Sequence, residues 1–141
     1  MLSKKRKVIL DTNLWLKFLL KGRLKAFGLL LLDDAIALMV SPQQRQEIRK
    51  VTRQLQSARS ISKKQRKGVD NFVKKFSTCV HVATNSHFRP DPKDGYLLAL
   101  SIDSHADYFI TNDKPLLGLS PFTGTQIVTY RQFLESILGK A

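Results

Sequence analysis

One cysteine, Cys79, stands in a chain of 141 residues. No intrachain disulfide can form, and a reducing compartment, the cytoplasm, is the expected setting. Long apolar runs are missing too. The longest, around Leu29–Leu32, is cut by Asp33 and Asp34, well short of the roughly 20 residues a membrane-spanning helix needs. The opening MLSKKRKVILD passes directly from basic residues into a strand-like run. It lacks the apolar stretch and small-residue cleavage site of a signal peptide. Internal repeats, low-complexity segments and linkers are absent, and a hydrophobic content of 43% suits one compact domain over residues 1–141.

Acids are the scarcest charge, 11 Asp and Glu against 24 Lys and Arg, a net of +13. The excess is concentrated. Residues 45–75 hold eleven basic side chains and two acids, a net of +9, whereas residues 76–141 carry a net of −1. A solvated helix face usually intersperses both signs; this segment hardly does. It reads as a footprint for a polyanion, with nucleic acid favoured over an acidic protein as the expected partner. A membrane surface is disfavoured because no aromatic anchors accompany the charge. Arg45, Arg49, Lys63, Lys64, Arg66 and Lys67 are the expected phosphate contacts.

Apolar β-formers alternate with amphipathic helical patterns. Strands are predicted at 7–10 (KVIL), 36–40 (IALMV), 79–83 (CVHVA), within 107–113 (DYFITND) and at 126–130 (QIVTY). Between them lie helical patterns: one from Thr12 that Gly22 breaks, one from about Lys25 to Asp33 or Ala35, and one opened by Ser41 as N-cap and Pro42 at the first helical position. A basic helix is expected over 59–76, its buried face formed by Val69, Phe72, Val73 and Phe76. Further helices are expected over 95–106 and from Tyr130 to the end. Such alternation implies βαβ units: an α/β fold, a three-layer α/β/α sandwich around a central parallel sheet of four to five strands.

Four acids fall at the ends of these strands. Asp11 ends VIL, and Asp113 ends the FITN strand. Glu47 lies in the second turn of the helix after IALMVS, and Asp94 just before the helix GYLLAL. Asp11 alone reads as a helix cap. In a parallel sheet, however, all four acids fall on one edge, where they would repel one another unless a divalent cation neutralises them. Oxygen ligands suit Mg²⁺ or Mn²⁺, and such an ion can activate water at a phosphoryl centre. Asp91, before Pro92, reads as a turn residue. Asp113 also sits where it can cap the KPLL turn. Asp103 and Asp107 read as helix-surface and strand-start residues, His81 as part of the third strand, and His87 and His105 as surface residues. Trp15 keeps core spacing.

VILDTN, SPQQRQEIRKV, DPKDGYLLALSIDSHADYFITNDKPLL and the closing IVTYRQFL together resemble a PIN domain. They are most similar to the PIN-family toxin components of toxin–antitoxin pairs. The resemblance covers most of the chain and is weakest over 51–78. It implies a Mg²⁺- or Mn²⁺-dependent endoribonuclease that leaves a 5′-phosphate and a 3′-hydroxyl, is often dimeric and is often held inactive by an antitoxin. It maps the family's acids onto Asp11, Glu47, Asp94 and Asp113, and its supporting polar residues onto Asn13 and Thr111. Asp11, Asp94 and Asp113 are then the expected metal ligands, and Glu47 binds the metal or positions the attacking water. Two rivals remain at this level: a non-catalytic nucleic-acid-binding module of the same fold, and a small-substrate phosphohydrolase or receiver-like domain. The four acids argue against the first, and the basic segment against the second.

Overall fold

A computed structural model describes residues 5–21, 25–33, 35–83 and 92–137. Gly22, His87 and Asp91 lie outside the described residues. Five strands, β1 (Arg6–Leu10), β2 (Ile36–Val40), β3 (Ser77–Cys79), β4 (Tyr108–Ile110) and β5 (Gln126–Val128), form one sheet in the order β3-β2-β1-β4-β5. Every pairing is parallel, with Val8 opposite both Leu38 and Tyr108. The helices are α1 (Thr12–Lys21), α2 (Lys25–Leu32), α3 (Pro42–Ser57), α4 (Lys63–Phe76), α5 (Pro92–Ser104), α6 (Lys114–Leu117) and α7 (Tyr130–Ile137). Among the described residues no helix is long and apolar enough to cross a membrane.

The inner strands are apolar over Val8–Leu10, Ile36–Val40 and Tyr108–Ile110, because both their faces are covered there. Successive side chains point to opposite faces. Val8, Leu10, Leu38, Val40 and Ile110 join Trp15, Ile48, Val73 and Phe133 in one core. Ile9, Met39 and Phe109 join Leu97, Leu98, Leu100 and Leu116 in the other. The sheet is thus the middle of three layers, with α1, α3, α4 and α7 on one side and α5 and α6 on the other. Trp15 is fully buried, with Phe72 edge-on at 6.1 Å, as its spacing predicts.

Several boundaries differ from expectation. The helix expected over 59–76 starts at Lys63. Arg59 adopts a left-handed backbone (φ 61°) and Ser60 N–H bonds back to the Leu55 carbonyl, which closes α3. Ser62 then opens α4 with a reciprocal capping box to Gln65. The third strand lies at 77–79, two residues before the expected 79–83, because α4 ends directly into pairing with Leu38–Val40. His81 is therefore exposed beyond the strand and not part of it. The helix expected from Gly95 starts at Pro92 and ends at Ser104, so Asp94 lies inside its first turn and not before it. The last strand stops at Val128, since Thr129 bonds reciprocally with Gln132 to begin α7. Asp107, expected at a strand start, accepts Lys7 N–H at 2.8 Å and aligns β4 with β1. Asp103 accepts Ala83 N–H at 2.6 Å.

Candidate active site

The chain runs outward from β1 through β2 to β3, then returns to the other side of β1 with β4. The order reverses between β1 and β4. At such a switch point the loops leaving the two strands diverge and open a crevice at their carboxyl ends. The residues that follow are Asp11 after β1 and Thr111–Asp113 after β4. Asp11 N–H bonds the last carbonyl of β4, Ile110, at 3.0 Å, which fixes the two segments side by side.

Asp11 occupies the cap position of α1, and its carbonyl accepts Leu14 and Trp15 N–H at 2.9 and 3.1 Å. Its carboxylate is a poor cap, because Asn13 N–H reaches Oδ1 only at 3.4 Å. The stronger bond comes from the buried Thr111, whose Oγ1 donates to Oδ2 at 2.7 Å. Thr111 Oγ1 in turn accepts Asp113 N–H at 3.1 Å. One hydroxyl thus sets the positions of two acids. Asp113 Oδ2 accepts Leu116 N–H at 3.0 Å and caps α6.

Glu47 reaches the same crevice from α3. Ser41 caps that helix by accepting Gln44 N–H at 3.1 Å. The buried Gln44 side chain does not close a capping box; its Nε2 donates to the Leu10 carbonyl at 2.6 Å, tying α3 to the end of β1. Glu47 Oε1 accepts the Tyr96 hydroxyl at 2.5 Å. Burial first, then that bond to Glu47, pushes the Tyr96 hydroxyl far above its ordinary range, so the phenol keeps its proton and is the donor. Its only proton being used, Thr12 Oγ1 must donate to it at 3.3 Å, while Gln44 Nε2 donates to Thr12 at 3.4 Å. The result is a directed chain, Gln44 to Thr12 to Tyr96 to Glu47.

Asp11, Glu47 and Asp113 line one cleft of about 510 Å³, together with Asn13, Lys17 and Asn112. The Asp11 carboxyl is raised above 3.8, mainly by burial and further by the charges of Asp113 and Glu47, against the lowering effect of Thr111. Like-charge repulsion, the cause the sequence suggests, is real but secondary. The side chain of Asp94 lies outside the described residues; its backbone belongs to α5, the helix that also carries Tyr96. Among the described residues no three Asp, Glu, His or Cys side chains form a closed metal cluster. The donor set still fits Mg²⁺ or Mn²⁺, because Mg²⁺ takes one or two carboxylates and keeps waters and substrate phosphates for the remainder.

Tyr96, Gln44 and Lys17 escape the sequence reading. Tyr96 looks like core within GYLLAL and is buried, yet its hydroxyl bonds Glu47. Gln44 imitates a capping-box residue. Lys17 reads only as the polar face of α1. The basic candidates divide. Arg45 and Arg49 face a groove beside α4. Lys63, Lys64 and Lys67 are exposed. Arg66 is turned inward, with Nε donating to Gln56 Oε1 at 2.5 Å and Nη1 lying 3.5 Å from Asp70.

An all-parallel, three-layer α/β fold with carboxylates gathered at its switch point defines a class of acid-site proteins. Within that class the chain belongs to the PIN domain family, whose model matches residues 7–115. It is also similar in structure to a chain of VapBC2 from Rickettsia felis, solved bound to a DNA fragment from their promoter. The identity is 15%, the TM-score is 0.54, and the match covers 86% of this chain and 96% of that one. No curated protein matches the sequence significantly.

Proposed function

We propose that this chain is a divalent-cation-dependent endoribonuclease, the toxin of a toxin–antitoxin pair, formed by a single domain. The observation that carries the reading is the meeting of Asp11, Glu47 and Asp113 in one cleft at the switch point. The structural likeness to a chain of VapBC2 supports a partner protein, here an antitoxin; a homodimer is what the family resemblance implies. Asp11 and Asp113 would hold Mg²⁺ or Mn²⁺, with Asp94 as a third ligand. The bound ion supplies Lewis-acid stabilisation and an activated water. Thr111 keeps both Asp11 and Asp113 oriented. Glu47, fixed on one oxygen by Tyr96, has its other oxygen for the ion or for the attacking water. Asn13 and Lys17 border the cleft from α1, where Lys17 would offset charge on the scissile phosphate.

Cleavage of a labelled RNA by the purified chain, with Mn²⁺ or with chelator, tests this. Activity should need the cation, and Asp11→Asn and Asp113→Asn should each lower it by about 10²-fold or more, the scale seen when one group that stabilises developing charge is removed. Both variants should keep the wild-type circular dichroism spectrum. Undiminished cleavage by the folded double variant would sink the assignment. RNA binding without cleavage would favour the non-catalytic module.

A further inference from the structure

The cations of α3 and α4 do not form a uniform shell. Gln56 meets Arg66 at one end of the pair, and Arg45 lines the same groove as Lys74 at the other, so the two helices run antiparallel. Between them lies a groove of about 300 Å³. Arg45, Arg49 and Arg53 recur every four residues and form one row along α3. On α4, Lys63, Lys67 and Lys74 fall in a second row at spacings of four and seven, interrupted by Asp70. Among the described residues Asp70 is the sole acid lining the groove, and Arg66 engages it. Arg45 Nε is buried and finds no partner among the described residues. An anionic oxygen in the groove would satisfy it.

The groove also connects with the cleft. Glu47 and Val51 look from α3 into the cleft, whereas Arg45, Arg49 and Arg53 look into the groove. Around the exposed side of the helix between these faces lies a shallow depression lined by Gln46, Arg49, Lys50, Arg53 and Gln54. Every residue on that path is polar or cationic. The groove, the depression and the cleft lie in series around α3, which suits one phosphodiester backbone.

We propose that the α3–α4 groove is a phosphodiester-binding track for one RNA strand, which crosses α3 with its scissile link in the acid cleft. The choice of RNA rests on the nuclease reading; the track itself does not. It adds Arg53 and Lys74 to the expected contacts and removes Arg66, already engaged, and Lys64, which lies off the row.

Fluorescence anisotropy with a short labelled single-stranded oligoribonucleotide, in chelator so that no cleavage intervenes, tests the track as salt is varied. Arg49→Gln/Arg53→Gln/Lys74→Gln should weaken binding at low salt at least about tenfold and flatten the log–log salt slope by about 2, since each phosphate contact on a single strand contributes about 0.7. Arg131→Gln on α7, remote from both rows, should leave both unchanged. Arg53→Gln alone should flatten the slope by about 0.7, which keeps the test decisive if the triple variant fails to fold. The proposal is overturned if wild type does not bind the strand at low salt, if the groove variants bind like wild type, or if the remote variant loses as much. It is also overturned if polyglutamate of equal charge competes as well as RNA, because the groove then takes an acidic protein segment. Should wild type bind the strand with these slopes yet cleave no RNA in Mn²⁺, the track survives and the nuclease reading fails.

Discussion

The carboxylate of Asp11 is served better by Thr111, at 2.7 Å, than by the helix it precedes, where Asn13 N–H stands 3.4 Å away. Capping is therefore a weak reason for an acid here, and burial is a reason against one. Because burial raises the Asp11 carboxyl above 3.8, the folded state holds the Asp11 proton more tightly than the unfolded chain does. The stability this confers is complete below 3.8 and is lost as pH rises through the higher folded value. At neutral pH without metal, charged Asp11 is a liability. In chelator, Asp11→Asn should then be more stable than wild type at neutral pH, and the gap should shrink on acidification. The amide oxygen can still accept the Thr111 bond. Urea unfolding at acidic and neutral pH measures this; a variant less stable than wild type at neutral pH would make Asp11 a structural cap. Asp11 and Asp113 were legible because each follows a recognisable apolar run, and Glu47 because it falls early in a clearly capped helix. Tyr96 and Gln44 were not, since their roles depend on which neighbour a buried side chain meets across the sheet edge, and periodicity carries no such information.

At the scale of elements, both faces of the sheet were legible, because strands buried on both sides need uninterrupted apolar runs and the helices between them show one apolar stripe. Ser41 with Pro42 marked the start of α3 correctly. Strand order was not legible; local sequence does not specify which side of β1 receives β4. The start of α4 was misplaced for a physical reason. Arg59 takes the left-handed turn position where glycine is usual, so no glycine marks the boundary, while Gly68 lies within α4 as expected. A Cβ added at Gly68 would meet nothing within 4 Å. Gly68→Ala should therefore stabilise the protein by about 0.5–1 kcal/mol, the difference between the two residues in a helix interior, as a raised urea midpoint at constant slope. An unchanged or lowered midpoint would show that α4 is frayed or differently packed there.

Over the whole molecule, charge is segregated by architecture. The cations of residues 45–75 ride on α3 and α4, and the acids gather in the crevice between β1 and β4. This division bears on how metal binding must be read. A cation that binds only the folded state stabilises it by mass action, about 2.7 kcal/mol at a hundredfold excess over its dissociation constant. For a chain near this length each kcal/mol raises the melting temperature by roughly 3–5 °C. A protein of net charge +13 is also stabilised by any added salt, because the ions screen its self-repulsion. Millimolar Mn²⁺ must therefore be compared with KCl at matched ionic strength. Wild type should melt several degrees higher in Mn²⁺ than in the matched KCl. Asp11→Asn should start higher in chelator and lose most of the Mn²⁺-specific rise, whereas the triple groove variant should keep it, since its cations lie beyond the cleft. Equal melting in Mn²⁺ and matched KCl would mean that the acids of the cleft bind no divalent ion. The proposed chemistry would then have to be abandoned, whatever the groove binds.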